Sequence, residues 1–105
     1  MPLDSQKFYF MAMDNLLVFL NFIKASERAL DQAIALGKKD GAKITICHIL
    51  DQKGDEAEVL KKLEPHAEKV RLSGLDVEIE LEYGPIFDAA AKAAKKIKPD
   101  LVIAG

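Results

Sequence analysis

From Ala25 to the last residue, the apolar positions switch between two spacings. Between Ala25 and Lys39, residues Ala29, Leu30, Ala33, Ile34 and Leu36 recur at helical intervals while Glu27, Arg28, Asp31 and Gln32 fall on the other side, which predicts an amphipathic helix stopped at Gly41. Lys43 to Leu50 is a short apolar run rich in β-formers, as expected for a strand covered on both faces. A second helix opens at Asp55 or Glu56 and carries Val59, Leu60, Leu63, Val70 and Leu72. Pro65 inside it is expected to kink or restart it, and Gly74 to end it. Leu75 to Tyr83 then alternates, Val77, Ile79, Leu81 and Tyr83 against Asp76, Glu78, Glu80 and Glu82. That pattern predicts a half-exposed strand at a sheet edge, its carboxylates solvated and deterring further pairing. Gly84-Pro85 is a turn with Pro85 suited to the first helical position, followed by a helix through Ile86, Ala89, Ala90, Ala93, Ala94 and Ile97. Lys95, Lys96 and Lys98 suit its C-terminus, Pro99-Asp100 breaks it, and Leu101 to Ala104 reads as a buried strand running into Gly105.

Strands alternating with helices of this length predict an α/β domain, an open parallel sheet with helices on both faces. Upstream, Phe8 to Ile23 is strongly apolar, but Asp14 and Asn15 divide it and it is shorter than the ~20 residues of a spanning helix. Asp4 beside Lys7 and the lack of a small-residue cleavage site argue against a secretory signal. The segment is assigned to the fold, and no membrane association is expected.

Composition narrows the function classes. The 105 residues are 50% hydrophobic and 30% charged, the balance of one globular domain. With 15 basic against 17 acidic residues, no net field attracts nucleic acid, which is not expected as a partner. A single cysteine, Cys47, makes no internal disulfide and fits a reducing, cytoplasmic setting. Cys47 and His48 are neighbours on one strand, so their side chains point to opposite faces and form no nucleophile–base pair; both read as packing residues, and His66 as a solvated helix residue. Neither a metal-ligand spacing of Cys or His nor a GxGxxG or GxxxxGK[ST] loop occurs.

The segments ASERALDQAIALGKKDGAKITICHIL and LEPHAEKVRLSGLDVEIELEYGPIFDAAAKAAKKIKPDLVIAG closely resemble the universal stress protein (UspA) domain, over roughly the last three quarters of the chain. The resemblance implies a Rossmann-like fold of the adenine nucleotide α-hydrolase type, a parallel sheet in the order 3-2-1-4-5. Here it implies a single domain over residues 1–105, with order 3-2-1-4, the fifth strand missing and residues 1–24 a divergent N-terminal segment. It also implies a regulatory domain of the stress response that binds ATP or AMP, with Mg only alongside the nucleotide, often as a homodimer, and not an enzyme. In ATP-binding members an aspartate ends the first strand, a backbone group near the end of the second meets adenine, and a G-x2-G-x9-G-[S/T] loop after the fourth holds phosphates. Ile49 falls at the adenine-contacting position and Gly105 on the first glycine of that loop, whose remainder is absent.

Two registers compete for the first strand. In one, Phe8 to Met13 is the strand, Asp14 is the family aspartate and Leu16 to Lys24 is an insertion whose apolar side chains would favour self-association. In the other, Leu16 to Leu20 is the strand and Asn21 replaces the aspartate without a gap, predicting weaker metal–nucleotide binding. The first is preferred because it retains the carboxylate. The expected site is therefore Asp14, Ile49 and Gly105. An alternative function is an interaction module that keeps the fold without the ligand.

Overall fold

The computed structural model describes residues 13–105. Four parallel strands, β1 (Asn15–Phe19), β2 (Lys43–Leu50), β3 (Val77–Tyr83) and β4 (Leu101–Ala104), form one sheet in the order β3-β2-β1-β4. Three helices make the crossovers: α1 (Lys24–Asp40), α2 (Glu56–Leu72) and α3 (Ile86–Ile97). No described helix is long and apolar enough to cross a membrane.

The strand at the centre of the sheet overturns the preferred register. Leu16, Leu17 and Val18 are fully buried, and β1 pairs with Lys43–Cys47 on one side and Leu101–Ala104 on the other. A central parallel strand needs apolar residues on both faces. The run NLLVF supplies them. Asp14 precedes β1 rather than ending it, and Leu16–Phe19 is the heart of the sheet, not an apolar insertion poised for self-association. Of the strand expected at Phe8 to Met13, residues 8–12 lie outside the described residues.

α1 and α2 cover one face. There Leu16, Val18, Ile44 and Ile46 of the strands pack with Leu30, Ala33 and Ile34 of α1 and Leu63, Ala67 and Val70 of α2. α1 ends where Gly41 turns left-handed, at φ 67°, with its N–H and that of Ala42 both directed to the Gly37 carbonyl. α2 runs unbroken through Pro65, which removes a single intrahelical donor while the helix stays anchored by its buried face. His66 is half-buried, its ring centroid 6.2 Å from that of Phe22, and is not the freely solvated residue expected.

α3 covers the other face, over β3, β2 and β1, where Leu17, Cys47 and Ala93 form a small cluster. It also covers part of the acidic row of β3: Glu82 is only 7% exposed, and Lys96 Nζ donates to Glu80 Oε2 at 2.6 Å. β3 is the edge strand, as expected, but its carboxylates are not uniformly solvated. α3 starts at Ile86, with Pro85 one residue earlier than expected, in the capping position. On β4, Leu101 and Ile103 pack towards α1, whereas Val102 and Ala104 on the α3 side stay exposed.

Candidate functional site

The chain passes from β1 to β2 on one side of the sheet and returns to β4 on the other, so the carboxyl ends of β1 and its neighbours bound the crevice where open α/β sheets take ligands. A cavity of about 350 Å³ lies there. Its walls are Phe19, Leu20 and Asn21 from the end of β1, Cys47, His48 and Ile49 from β2, and Ile86, Phe87 and Ala90 from the start of α3; Ser26, Val102, Ala104 and Gly105 complete it. That volume lies within the range of small-molecule sites, about 300–1,000 Å³.

The expected residues divide. Ile49 and Gly105 line the cavity. Asp14 stands at the opposite, amino-terminal end of β1. There its N–H donates to Asp100 Oδ2 at 2.7 Å and its carbonyl accepts from Lys43 N at 2.8 Å. A strand of this length separates the two edges by roughly 17 Å, so the Asp14 carboxylate does not reach the cavity. Asn21 occupies the position instead, and its carboxamide is tied to α1: Ser26 Oγ donates to Asn21 Oδ1 and accepts from Asn21 N. Because Ile23, the capping residue of α1, makes no side-chain cap, this pair closes the β1–α1 turn.

Gly105 fits where no side chain would. A Cβ built on it would lie 2.3 Å from the Ala25 carbonyl carbon and oxygen and 2.6 Å from Ser26 N. The C-terminal strand end is thus pressed against the first turn of α1, whose backbone N–H groups lack intrahelical partners. A smaller hollow of about 220 Å³ adjoins it, lined by Ala25, Arg28, Ala29, Gln32, Ala104 and Gly105.

Among the described residues, none lining the larger cavity is an Asp, Glu, Lys or Arg. Its polar side chains are Asn21, Ser26, His48 and the Cys47 thiol. Burial, with lesser help from Glu82 and Glu80, pushes the Cys47 thiol up to about 12, against a smaller opposing pull from Lys96, so it is protonated at neutral pH and a poor nucleophile. His48 Nδ1 lies 2.7 Å from the Leu20 carbonyl oxygen. The carbonyl can only accept, so the ring carries its proton on Nδ1.

Ile86 and Phe87 were absent from the sequence-based site. Phe87 breaks the apolar stripe of its helix and is 85% exposed, and an aromatic off the buried face was the signal available for it.

The Universal stress protein family model matches residues 13–105. The chain belongs to the universal stress protein family. No curated protein matches it by sequence. Among solved structures it is similar to protein Rv1636 from Mycobacterium tuberculosis, at 26% identity over 91% of this chain and 73% of that one, with a TM-score of 0.76. It is also similar to a universal stress protein in complex with cAMP, at 22% identity over 89% and 76% of the two chains and a TM-score of 0.73. A third, an Arabidopsis thaliana family member with AMP bound, is 18% identical over 86% and 76%, with a TM-score of 0.71. The strand order 3-2-1-4 of this universal stress protein agrees with the order implied by the sequence resemblance.

Proposed function

We propose that this universal stress protein domain is a non-catalytic binding module of the stress response that takes an adenine nucleotide into the cavity at the carboxyl edge of its sheet. The observation that carries this reading is an apolar cavity of ligand size with Ile49 of β2 on its wall. Two similar structures, one in complex with cAMP and one with AMP bound, support it. Adenine would lie against Ile49 and the apolar side chains of β1 and α3, and Gly105 and the first turn of α1 would face the sugar–phosphate side. His48 is engaged at a backbone carbonyl and Cys47 is protonated, so the lining offers no paired acid and base for hydrolysis.

The donor set does not fit magnesium. Mg²⁺ prefers charged oxygen ligands, whereas the lining offers the carboxamide of Asn21 and the hydroxyl of Ser26. The preferred ligand is therefore a nucleotide of low charge taken without metal. Titration calorimetry with adenosine, AMP, cAMP and ATP, each with and without magnesium, tests this. Adenosine, AMP or cAMP should bind at least as tightly as ATP, with no gain on adding magnesium. Tightest binding by magnesium–ATP would overturn the metal-free reading, and failure of all four ligands would overturn the nucleotide reading.

A second reading has its own observation. Ile86 and Phe87, 63% and 85% exposed, stand at the cavity rim with Val102 nearby. Such a patch suits an interaction module, including a homodimer. Light scattering of wild type and Phe87→Ser separates the readings: a dimer lost in the variant supports association through this rim.

A further inference from the structure

We infer that His48 is a positioning residue that holds the β1–α1 turn, and with it Asn21, in one conformation. Its effect on binding rests on the function proposed above, but its effect on the turn does not. Leu20 N donates to the Cys47 carbonyl at 2.9 Å, the last backbone bond joining β1 to β2 before the chain leaves the sheet. The Leu20 carbonyl then accepts the Nδ1–H of His48 at 2.7 Å, so a side chain continues the pairing where the backbone ladder ends. Two residues on, Phe22 has φ 68°, a left-handed conformation that bulky residues rarely adopt. Its ring centroid lies 4.9 Å from that of His48, with Lys62 Nζ of α2 5.8 Å from the Phe22 centroid. His48 therefore grips the residues on both sides of Asn21, one through its backbone and one through its ring. Asn21 N is in turn taken by Ser26 Oγ at 3.3 Å. The grip comes from β2, which is paired on both sides and is the least mobile support available to a surface turn.

The test is amide hydrogen exchange on the full chain without ligand, together with adenosine titration, for His48→Leu, His48→Asn and His48→Gln. Asparagine places an N–H near the Nδ1 position, whereas glutamine places it further out and leucine has none. His48→Leu should speed exchange at Leu20 and Asn21, whose N–H groups are hydrogen-bonded to Cys47 and Ser26, about tenfold relative to amides within β2 and weaken adenosine binding by a similar factor. His48→Asn should recover most of both effects, and His48→Gln should behave like leucine. Unchanged exchange at Leu20 and Asn21 in His48→Leu overturns the proposal, and so does an asparagine variant as impaired as the leucine one. Should His48→Leu fail to fold, the asparagine–glutamine difference decides by the same criterion. If the wild type binds no nucleotide, the functional reading fails while the exchange comparison still decides the role of His48.

Discussion

The two faces of the sheet are built to different standards. Under α1 and α2, buried aliphatic residues from strands and helices form a continuous core, and a fully buried Leu or Ile there contributes about 1.5–3 kcal/mol. Under α3 the fully buried cluster is small, Leu17, Cys47 and Ala93, fringed by an ion pair at Glu80 and Lys96 and by exposed Ile86, Phe87 and Val102. The cavity opens beside the second face. Close packing stabilises one side of the sheet, and looser packing with small alanines on the other leaves room at the carboxyl edge for a ligand. The same strands thus present two kinds of packing, Leu16 and Val18 facing the dense core and Leu17 and Phe19 the thinner one.

Breaking the tightly packed face should produce the largest effect. Leu30→Ala removes most of a fully buried side chain and should lower unfolding stability by about 2–5 kcal/mol. Val102→Ala, on the thinner face, should stay within about 0.5 kcal/mol of wild type. Urea denaturation of both variants measures the contrast. Similar losses in the two would mean that α3's face carries more of the fold than its packing indicates.

The next effect is a pH dependence centred on Cys47. Its folded pKa is raised, so its contribution is fully present below the unfolded thiol value of about 8.5 and is lost as pH rises towards about 12. Across that window unfolding stability should fall by at most about 1.4 kcal/mol per pH unit, because the unfolded chain releases a proton that the folded one keeps. Cys47→Ala should flatten this alkaline limb even if it lowers stability at neutral pH. An equally steep limb in Cys47→Ala would assign the loss to other groups. Native Cys47 should also react with iodoacetamide far more slowly than the unfolded chain.

The same division governs what could be read from the residues. β2 and β4 match their expected boundaries, and α1 differs by one residue at each end, because periodicity, Gly41 and Pro99 act locally. β1 was misplaced because a retained carboxylate was given more weight than burial. The uninterrupted Leu16–Phe19 run can serve a central strand on both faces, whereas Asp14 is held at the other edge, where its backbone N–H donates to the Asp100 carboxylate. The family resemblance, rather than periodicity, singled out Ile49 and Gly105, and both line the cavity. Ile86, Phe87 and the buried Glu82 were not legible, because alternation identifies which residues share a face but not which helix a long crossover lays over it.

A smaller effect probes the polar fringe of α3. Lys96→Ala deletes the partner of Glu80, and since the lysine is 64% exposed, solvent screening keeps the loss well below that of Leu30→Ala. The loss should shrink in high salt, unlike that of Leu30→Ala. Double-mutant cycles with Glu80→Gln measure the coupling, and a salt-independent loss would indicate that the lysine stem contributes by packing.

The smallest effect lies on the tightly packed side, where that face reaches the carboxyl edge. Tyr83 at the end of β3 donates its hydroxyl to Glu56 Oε2 at 2.5 Å, and Gly54 N donates to Glu56 Oε1 at 2.8 Å. The tyrosine hydrogen bond, aided by backbone donors, holds the Glu56 carboxyl below its ordinary range. A depressed folded pKa contributes stability above the unfolded carboxylate value, about 4.3, and that contribution is lost as pH falls through the lowered folded value. Tyr83→Phe should therefore move the Glu56 carbon chemical-shift titration upward, remove part of the acid limb and lower stability at neutral pH by the same amount, a small one because both groups meet water. The bond also lowers the acidity of the Tyr83 phenol, so the wild-type phenol should ionise at higher pH than free tyrosine and higher again than in Glu56→Gln. If Glu56 titrates identically in wild type and Tyr83→Phe, the backbone donors alone depress it, and β3 is tied to α2 at this edge by packing rather than by this polar pair.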